Sequence, residues 1–116
     1  MSKLSSETYT DLTILGQNWD IVHTPSWLMS TSLGECQQDT QKILIRSGLQ
    51  GQQAADTLVH ETIHAVDMIL GLDMSEQQVR LLATGLIQVF QANPEFYGWI
   101  AERLEEEDER RAKTRA

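Results

Sequence analysis

The spacing of hydrophobic positions changes near the middle of the chain. Up to about residue 50, apolar and polar residues alternate over short runs, a pattern typical of strands joined by turns. From Gly51 onward, apolar residues recur every three or four positions, which indicates helices with one apolar face. The sequence therefore predicts an α+β domain in which the strands precede the helices.

Two hairpins are predicted in the first half. The first joins strands at 10–15 and 19–23 through a turn at 16–18. The second joins 33–36 to the β-branched run at 43–46 through a polar turn. The segment between the hairpins contains a proline and several hydroxyl side chains, and it is predicted to be a loop with one short helical turn.

Signals at the helix ends define two helices in the second half. The first is predicted over 51–70, with Gly71 at the position where a left-handed residue commonly ends a helix. Ser75 and Gln78 have the spacing of a capping box, so the second helix is predicted to begin there and to end before Pro94. We expect the apolar faces of these two helices to face each other.

A third helix is predicted over 96–115, with apolar residues at its start and charged residues after them. Its last part, 101–116, holds six acidic and five basic residues, and Glu106 and Arg110 have a spacing that favours an ion pair. We therefore divide the chain into a single domain at 1–100 and a charged C-terminal helix or tail at 101–116. We interpret the tail as a solvent-exposed helix that frays, with a contact in an oligomer or larger assembly as the alternative.

Composition restricts the classes of function. The chain has 116 residues, with 9 Lys and Arg against 17 Asp and Glu, and a formal net charge of −8. This acidity argues against nucleic-acid binding, which needs clustered basic residues. The sequence has no run of about 18 apolar residues that could span a membrane. Residues 1–7 lack the apolar stretch of a secretory signal. Cys36 has no second cysteine with which to form a disulfide. We therefore predict a soluble cytoplasmic domain that binds neither nucleic acid nor membranes, with Cys36 packed as a small apolar residue.

The pattern that carries chemistry is His60-Glu61-Thr62-Ile63-His64, in the middle of the first predicted helix. Two histidines four residues apart lie on one face of a helix, close enough for both imidazoles to bind one Zn²⁺. Glu61 lies about 100° around the helix, beside the metal, where it can take a proton from a zinc-activated water. The motif therefore predicts a zinc site with Glu61 as general base.

A third protein ligand is needed to complete such a site. Glu76 opens the next helix on its predicted apolar face, so it is positioned to meet the two histidines. Asp67 and Asp56 share a helix face with the two histidines. A carboxylate on that face is better placed to hydrogen-bond a histidine ring, and so fix its tautomer, than to bind the metal as a third ligand. The candidates for the third ligand, in order of preference, are Glu76, Asp67, Asp73 and His23.

The chain resembles the zincin metallopeptidases over about 33–90. The resemblance is carried by the motif at 60–64, the strand at 43–46 before it, and a helix after it that begins with Glu76 and contains Leu82-Ala83. It is strongest toward the compact ImmA/IrrE-type group and small proteins of phages and prophages. The resemblance implies a minimal zincin-like fold, in which a small antiparallel sheet packs on the motif helix.

The resemblance also implies roles for individual residues. His60, His64 and Glu76 correspond to the zinc ligands of that family, and Glu61 corresponds to the general base. An extended peptide substrate would pair by backbone hydrogen bonds with an edge strand. In this chain the residues expected to form that edge are Ile43, Leu44, Ile45 and Arg46.

Together these patterns predict a zinc-dependent metallopeptidase that hydrolyses a peptide bond in a restricted protein substrate. The alternative is a catalytically silent zincin-like domain that serves as a binding or assembly module, for example as a structural component of a phage particle. A third possibility is a metal-free helical adaptor. Metal content and the effect of replacing Glu61 distinguish the three.

Overall fold

The computed structural model describes residues 10–29 and 32–115, so the segment 1–7, predicted not to be a secretory signal, lies outside the described residues. No helix within those two ranges is both long and apolar enough to cross a membrane. The fold is α+β. Its elements are strands β1 (Asp11–Ile14), β2 (Gln17–Thr24), β3 (Gly34–Gln37) and β4 (Lys42–Arg46), a 3₁₀ turn (Ser26–Leu28), and helices α1 (Gly51–Leu70), α2 (Glu76–Ala92) and α3 (Phe96–Arg115).

The described residues divide into two compact units, the first ending at Thr84 and the second beginning at Gly85. The first unit contains the sheet, α1 and the beginning of α2. The second contains the rest of α2 and all of α3. All the predicted zinc ligands and the predicted base belong to the first unit.

The four strands form one mixed sheet in the order β1-β2-β4-β3. β1 pairs with β2 and β3 pairs with β4 in antiparallel fashion, as the predicted hairpins require. The two hairpins join through β2 and β4, which run parallel with Ile21 opposite Ile43. The prediction of a purely antiparallel sheet is therefore wrong, because the second hairpin docks on the first through β4.

The predicted edge strand lies inside the sheet. Ile43 is fully buried and Ile45 is 5% exposed, and both belong to the core between the sheet and α1. The backbone of Leu44 and Arg46 also lies between two paired strands, so the prediction that 43–46 forms a free edge is wrong. The two edges are β1 and β3, and β3, which pairs with β4, is short and largely polar, as exposed edge strands commonly are.

The first hairpin turns at Leu15 and Gly16, whose φ angles are 49° and 82°. Two consecutive positive φ angles are typical of the type I′ turn that joins tightly paired strands. The turn therefore lies earlier than the predicted 16–18, and β2 already begins at Gln17.

The core of the first unit lies between one face of the sheet and α1. Alternate residues of the strands point to that face, and α1 contributes small and branched side chains to it. Its apolar burial supplies the main stabilisation of the unit. The buried members are Ile14, Trp19, Ile21, Ile43, Ile45 and Ala65.

The connection between α1 and α2 has the helix-ending glycine and the capping box that the sequence predicts. Gly71 is left-handed with a φ of 69°, and its N–H donates to the Asp67 carbonyl oxygen at 2.7 Å. The Ser75 N–H donates to Gln78 Oε1 at 2.9 Å, and the Gln78 N–H donates to Ser75 Oγ at 3.1 Å. The C-terminal stop and the capping box are both confirmed, and together they fix where α2 begins, at Glu76.

α3 is a helix with no buried residue, as its charged sequence predicts. Its ion pairs differ from the predicted one. Arg103 pairs with Glu106 at 2.9 Å, whereas Arg110 and Arg111 both pair with Glu107, at 2.5 and 3.0 Å. Glu107 lies within three or four residues of both arginines, so it competes successfully with Glu106 for Arg110.

Candidate metal centre

Helix α1 places the two motif histidines side by side. His60 and His64 are one turn apart, and their ring centroids are 4.9 Å from each other. Their side chains are 19% and 23% exposed, so the rings are shielded on one side by protein and open on the other. This is the arrangement that the spacing predicts, because it depends on helix geometry alone.

Glu76 joins the histidines from the first turn of α2. Its Oε2 lies 2.9 Å from His60 Nε2, and its Oε1 lies 3.0 Å from His64 Nε2. The three donor atoms all lie within 4.8 Å of one another, and within residues 10–29 and 32–115 no other group of His, Cys, Asp and Glu converges in this way. We call His60, His64 and Glu76 the triad.

The triad suits a tetrahedral metal ion. Bonds of about 2.0–2.2 Å from zinc to nitrogen and oxygen place neighbouring ligand atoms roughly 3.4 Å apart. The two distances from Glu76 to the imidazoles, 2.9 and 3.0 Å, are a few tenths of an ångström shorter than this, and all three donor atoms lie within 4.8 Å of one another. Two imidazoles and one carboxylate are a donor set that zinc accepts in catalytic sites, with one position left open.

The other candidates for the third ligand lie elsewhere. The Asp67 carboxylate accepts the Met74 N–H, at 3.3 Å from Oδ1 and 3.2 Å from Oδ2. Asp67 thus braces the connection between α1 and α2 rather than an imidazole, so its predicted bond to a coordinating histidine is not formed here. Asp73 and His23 are outside the triad, and His23 lines a separate cavity on the sheet.

The motif glutamate is buried beside the triad. Glu61 is 7% exposed. This burial raises the pKa of its carboxyl from 4.5 to about 7, His64 opposes the rise, and the carboxylates of Glu76 and Glu35 add to it. The Glu61 carboxyl therefore exchanges its proton near neutral pH, as a general base needs to do.

Strand β3 packs directly on Glu61 at a glycine. A Cβ at Gly34 would lie 2.8 Å from Thr57 Cγ2 and 2.9 Å from Glu61 Cγ. Both distances are too short for carbon atoms. Gly34 therefore allows the strand to approach α1 closely enough to bury the Glu61 side chain.

We expect Gly34→Ala to lower the free energy of unfolding by about 1–3 kcal/mol, because the added methyl overpacks the contact with Glu61. The matched control is Gly85→Ala in α2, where a Cβ would meet nothing within 4 Å. That control should be neutral or stabilise by up to about 1 kcal/mol, since alanine favours helix more than glycine does. Urea unfolding of both variants measures the difference, and equal effects would contradict the proposed contact.

The single cysteine belongs to the edge of the core. Cys36 is half-buried in β3, with its Sγ 3.9 Å from Met68 Sδ. Burial raises the pKa of the Cys36 thiol from 9.0 to about 12, and the Glu61 carboxylate adds to the rise. The thiol therefore stays protonated, which agrees with the predicted packing role and opposes a role as nucleophile.

Cys36 is expected to react with iodoacetamide about a thousandfold more slowly in the folded protein than in the unfolded chain, because three pKa units separate the thiolate fractions. The rate in denaturant provides the reference. Mass spectrometry of the alkylated chain over time measures both rates. Alkylation of the native protein at the rate of a free thiol would show that Cys36 is neither buried nor held protonated.

A cavity of about 300 Å³ adjoins the triad. Leu33 and Gly34 line it from the side of β3, Asp56 from α1, and Arg80 from α2. Sequence patterns indicated Asp56 through its helix face but did not indicate Gly34 or Arg80 as site residues. The sequence contains one signal for each. Gly34 is a glycine inside a predicted strand, which often marks close approach of another segment. Arg80 follows the expected ligand Glu76 by four residues, one helical turn.

Comparison with protein-family models, with curated proteins and with solved structures gives no match to this chain. The resemblance to zincin metallopeptidases therefore remains a prediction from the sequence. The function has to be argued from the triad, Glu61 and the cavity.

Proposed function

We propose that this protein is a zinc-dependent metallopeptidase. The observation that supports the proposal is the convergence of His60 Nε2, His64 Nε2 and the Glu76 carboxylate, within 4.8 Å of one another, beside the buried Glu61. The contacts between Glu76 and the two imidazoles do not need a second carboxylate nearby. Burial of the Glu61 carboxylate opposes its ionisation, so this group is costly to keep there. A site that uses Glu61 for chemistry explains the arrangement.

The chemistry divides between the ion and the protein. Bound Zn²⁺ supplies Lewis acidity, which polarises a carbonyl group and lowers the pKa of a water to roughly 7. Glu61 would remove a proton from the attacking water and then donate it to the departing amine. Glu61 lies next to His60 in α1 and lines the same cavity as His60 and Glu76, which places its carboxyl beside the proposed metal position.

The substrate would lie along β3. The Arg46 N–H donates to the Leu33 carbonyl oxygen at 2.9 Å, and hydrogen-bonded and non-bonded pairs alternate along antiparallel strands. At the next position, Gly34 is opposite Ile45, so its N–H and carbonyl point away from β4 toward the free edge. A peptide that adds to this edge would pass the cavity that Gly34 shares with the triad.

Metal analysis and a cleavage assay on the same preparation test the proposal. We expect about one Zn²⁺ per chain and zinc-dependent cleavage in a mixture of peptides, with the new termini identified by mass spectrometry. Removal of zinc by a chelator should stop the cleavage, and added zinc should restore it. A pure protein that binds no zinc, or one that binds zinc and cleaves nothing in broad peptide mixtures, would oppose the proposal.

A second candidate is a zinc-containing module without catalytic activity. It is favoured by the apolar side chains exposed at the start of α3, where Tyr97 is 69% and Trp99 is 59% exposed. Exposed aromatic residues are common in protein–protein interfaces. Retention of biological function after Glu61→Gln would favour this module over the peptidase.

A further inference from the structure

The cavity beside the triad holds a basic side chain to which the proposed hydrolysis gives no role. Among the residues that the structure describes, Arg80 is the only Lys or Arg that lines this cavity. Arg80 follows Glu76 by four residues, so the two side chains project from the same side of α2. The guanidinium therefore borders the space beside the triad, one helical turn beyond the proposed ligand.

Arg80 has no internal partner in the part of the chain that the structure describes. No hydrogen bond or ion pair joins it to another described residue. A glutamate and an arginine four residues apart commonly pair on a helix surface. Here both oxygens of Glu76 are directed at imidazole nitrogens, at 2.9 and 3.0 Å. The exposed guanidinium is thus available to an anion from outside the chain.

The charges around the cavity make Arg80 the group that a ligand would meet. When zinc is bound, the carboxylates of Glu61 and Glu76 balance its two positive charges. The remaining charged side chains in the lining are Asp56 and Arg80. Asp56 is half-buried one turn before His60, where a carboxylate suits a hydrogen bond to a coordinating imidazole. Arg80 is longer and exposed.

We propose that Arg80 is a specificity-determining residue that binds a carboxylate of the substrate, so that the enzyme prefers peptides with Asp or Glu beside the scissile bond. Arginine presents two parallel N–H donors that match the two oxygens of a carboxylate. An extended peptide on the β3 edge would carry alternate side chains past the cavity, and one of these would meet Arg80. The inference rests on the proposed function, because it takes the triad as the centre at which the peptide is cleaved.

A binding experiment tests this inference without turnover. The protein is loaded with Co²⁺ in place of zinc, and its visible spectrum is titrated with pairs of peptide hydroxamates, in which the hydroxamate binds the metal. The members of a pair differ only in Asp or Asn next to the hydroxamate, and separate pairs extend to either side of it. The variants are Arg80→Gln and Arg80→Glu. The matched control is Lys42→Gln, which removes one positive charge from the same compact unit, outside this cavity.

For one of the pairs, we expect the wild-type protein to bind the Asp compound about tenfold more tightly than the Asn compound. Arg80→Gln should reduce this ratio to about one and Arg80→Glu should invert it, whereas Lys42→Gln should leave it unchanged. Added salt should weaken the preference, because the pair is partly exposed.

The outcomes separate the two proposals. Equal binding of Asp and Asn compounds by the wild-type protein, or a preference that survives Arg80→Gln, would overturn the role of Arg80 and leave the metal site intact. A wild-type preference for a Lys compound over the matching Asn compound, abolished by Asp56→Asn, would overturn the role of Arg80 and assign selectivity to Asp56 instead. Failure of Co²⁺ to bind, or a spectrum that no hydroxamate changes, would overturn the proposed function and this inference with it.

Discussion

Replacing Glu61 by Gln is expected to reduce the rate of peptide hydrolysis by about 10²–10⁴-fold while zinc remains bound, because the amide cannot accept the proton of the attacking water. Glu61 is not a member of the triad, so the metal should be retained at about one ion per chain. The rate is followed on a peptide that the wild-type protein cleaves, and the zinc content is measured on the same samples.

Asp39→Asn is the matched control for this variant. Asp39 is an exposed carboxylate in the turn between β3 and β4, outside the cavity, so its replacement should change neither zinc content nor rate. Full activity of the Glu61→Gln variant would exclude Glu61 as general base and would leave the non-catalytic module as the better interpretation. Loss of zinc together with activity would mean that Glu61 supports the metal site.

The same substitution should stabilise the zinc-free protein at neutral and higher pH. The pKa of Glu61 is about 7 in the folded protein against an ordinary 4.5, so the unfolded chain releases this proton first as pH rises. Below pH 4.5 the Glu61 carboxyl is protonated in both the folded and the unfolded chain, so its burial carries no ionisation penalty. Between pH 4.5 and about 7 the free energy of unfolding falls by at most about 1.4 kcal/mol per pH unit. Above pH 7 the full penalty remains. Gln has no such penalty.

Urea unfolding with a chelator present measures this effect as the difference between Glu61→Gln and wild type. The comparison of two proteins cancels the titration of the other groups that both share. The difference should be small below pH 4.5 and should grow to a constant value above pH 7. A difference independent of pH would show that Glu61 titrates normally in the zinc-free protein and would contradict this prediction. A stabilised but inactive variant would indicate that this carboxylate is retained for chemistry at a cost in stability.

The helix ends could be predicted because their signals are local. Gly71 ends α1 through its own left-handed conformation, and Ser75 and Gln78 begin α2 through hydrogen bonds only three residues apart. Such interactions depend on neighbours in sequence and need no knowledge of the rest of the fold. The positions of His60 and His64 on one face are predictable for the same reason.

The order of the strands could not be predicted from alternation alone. The alternation of Ile43 and Ile45 shows that one face of β4 is buried, but both an edge strand and a central strand satisfy it. The choice depends on how two hairpins dock, which is a long-range contact. A comparison of β4 with the polar β3 would have favoured the observed order, because the more apolar strand gains more from a central position.

The site shows the same division between local and tertiary information. Arg80 and Gly34 border the cavity only because α2 and β3 approach α1, and no spacing within one segment describes that approach. The position of Glu76 beside the two histidines could be predicted, because the connection between the helices is short and its two ends have local signals in the sequence. Asp67 strengthens that connection through the Met74 N–H, a role that its helix face alone did not indicate.

Replacing Glu76 by Ala is expected to weaken zinc binding by more than the roughly 10–100-fold that follows loss of an outer hydrogen-bond partner of a metal ligand. Only two protein donors, His60 and His64, would remain, and they come from one helix. Competition with a chromophoric zinc chelator measures the affinity. Asp73→Asn is the matched control, because it removes a carboxylate from the same connection, and asparagine tolerates the φ of 59° at this position.

The variant Asp67→Asn then tests whether Asp67 binds zinc or only stabilises the connection between α1 and α2. Asparagine keeps one oxygen that can accept the Met74 N–H, so the connection should hold and zinc affinity should fall by less than about tenfold. If Asp67 were the third ligand, Asp67→Asn would lose zinc as strongly as Glu76→Ala, since an amide is a poor ligand for zinc. The comparison separates the two carboxylates because Glu76 contacts both imidazoles, whereas Asp67 contacts the Met74 N–H. The carboxylate whose replacement releases the zinc is the third ligand, and we propose Glu76 for this role because its two oxygens lie 2.9 and 3.0 Å from the imidazoles.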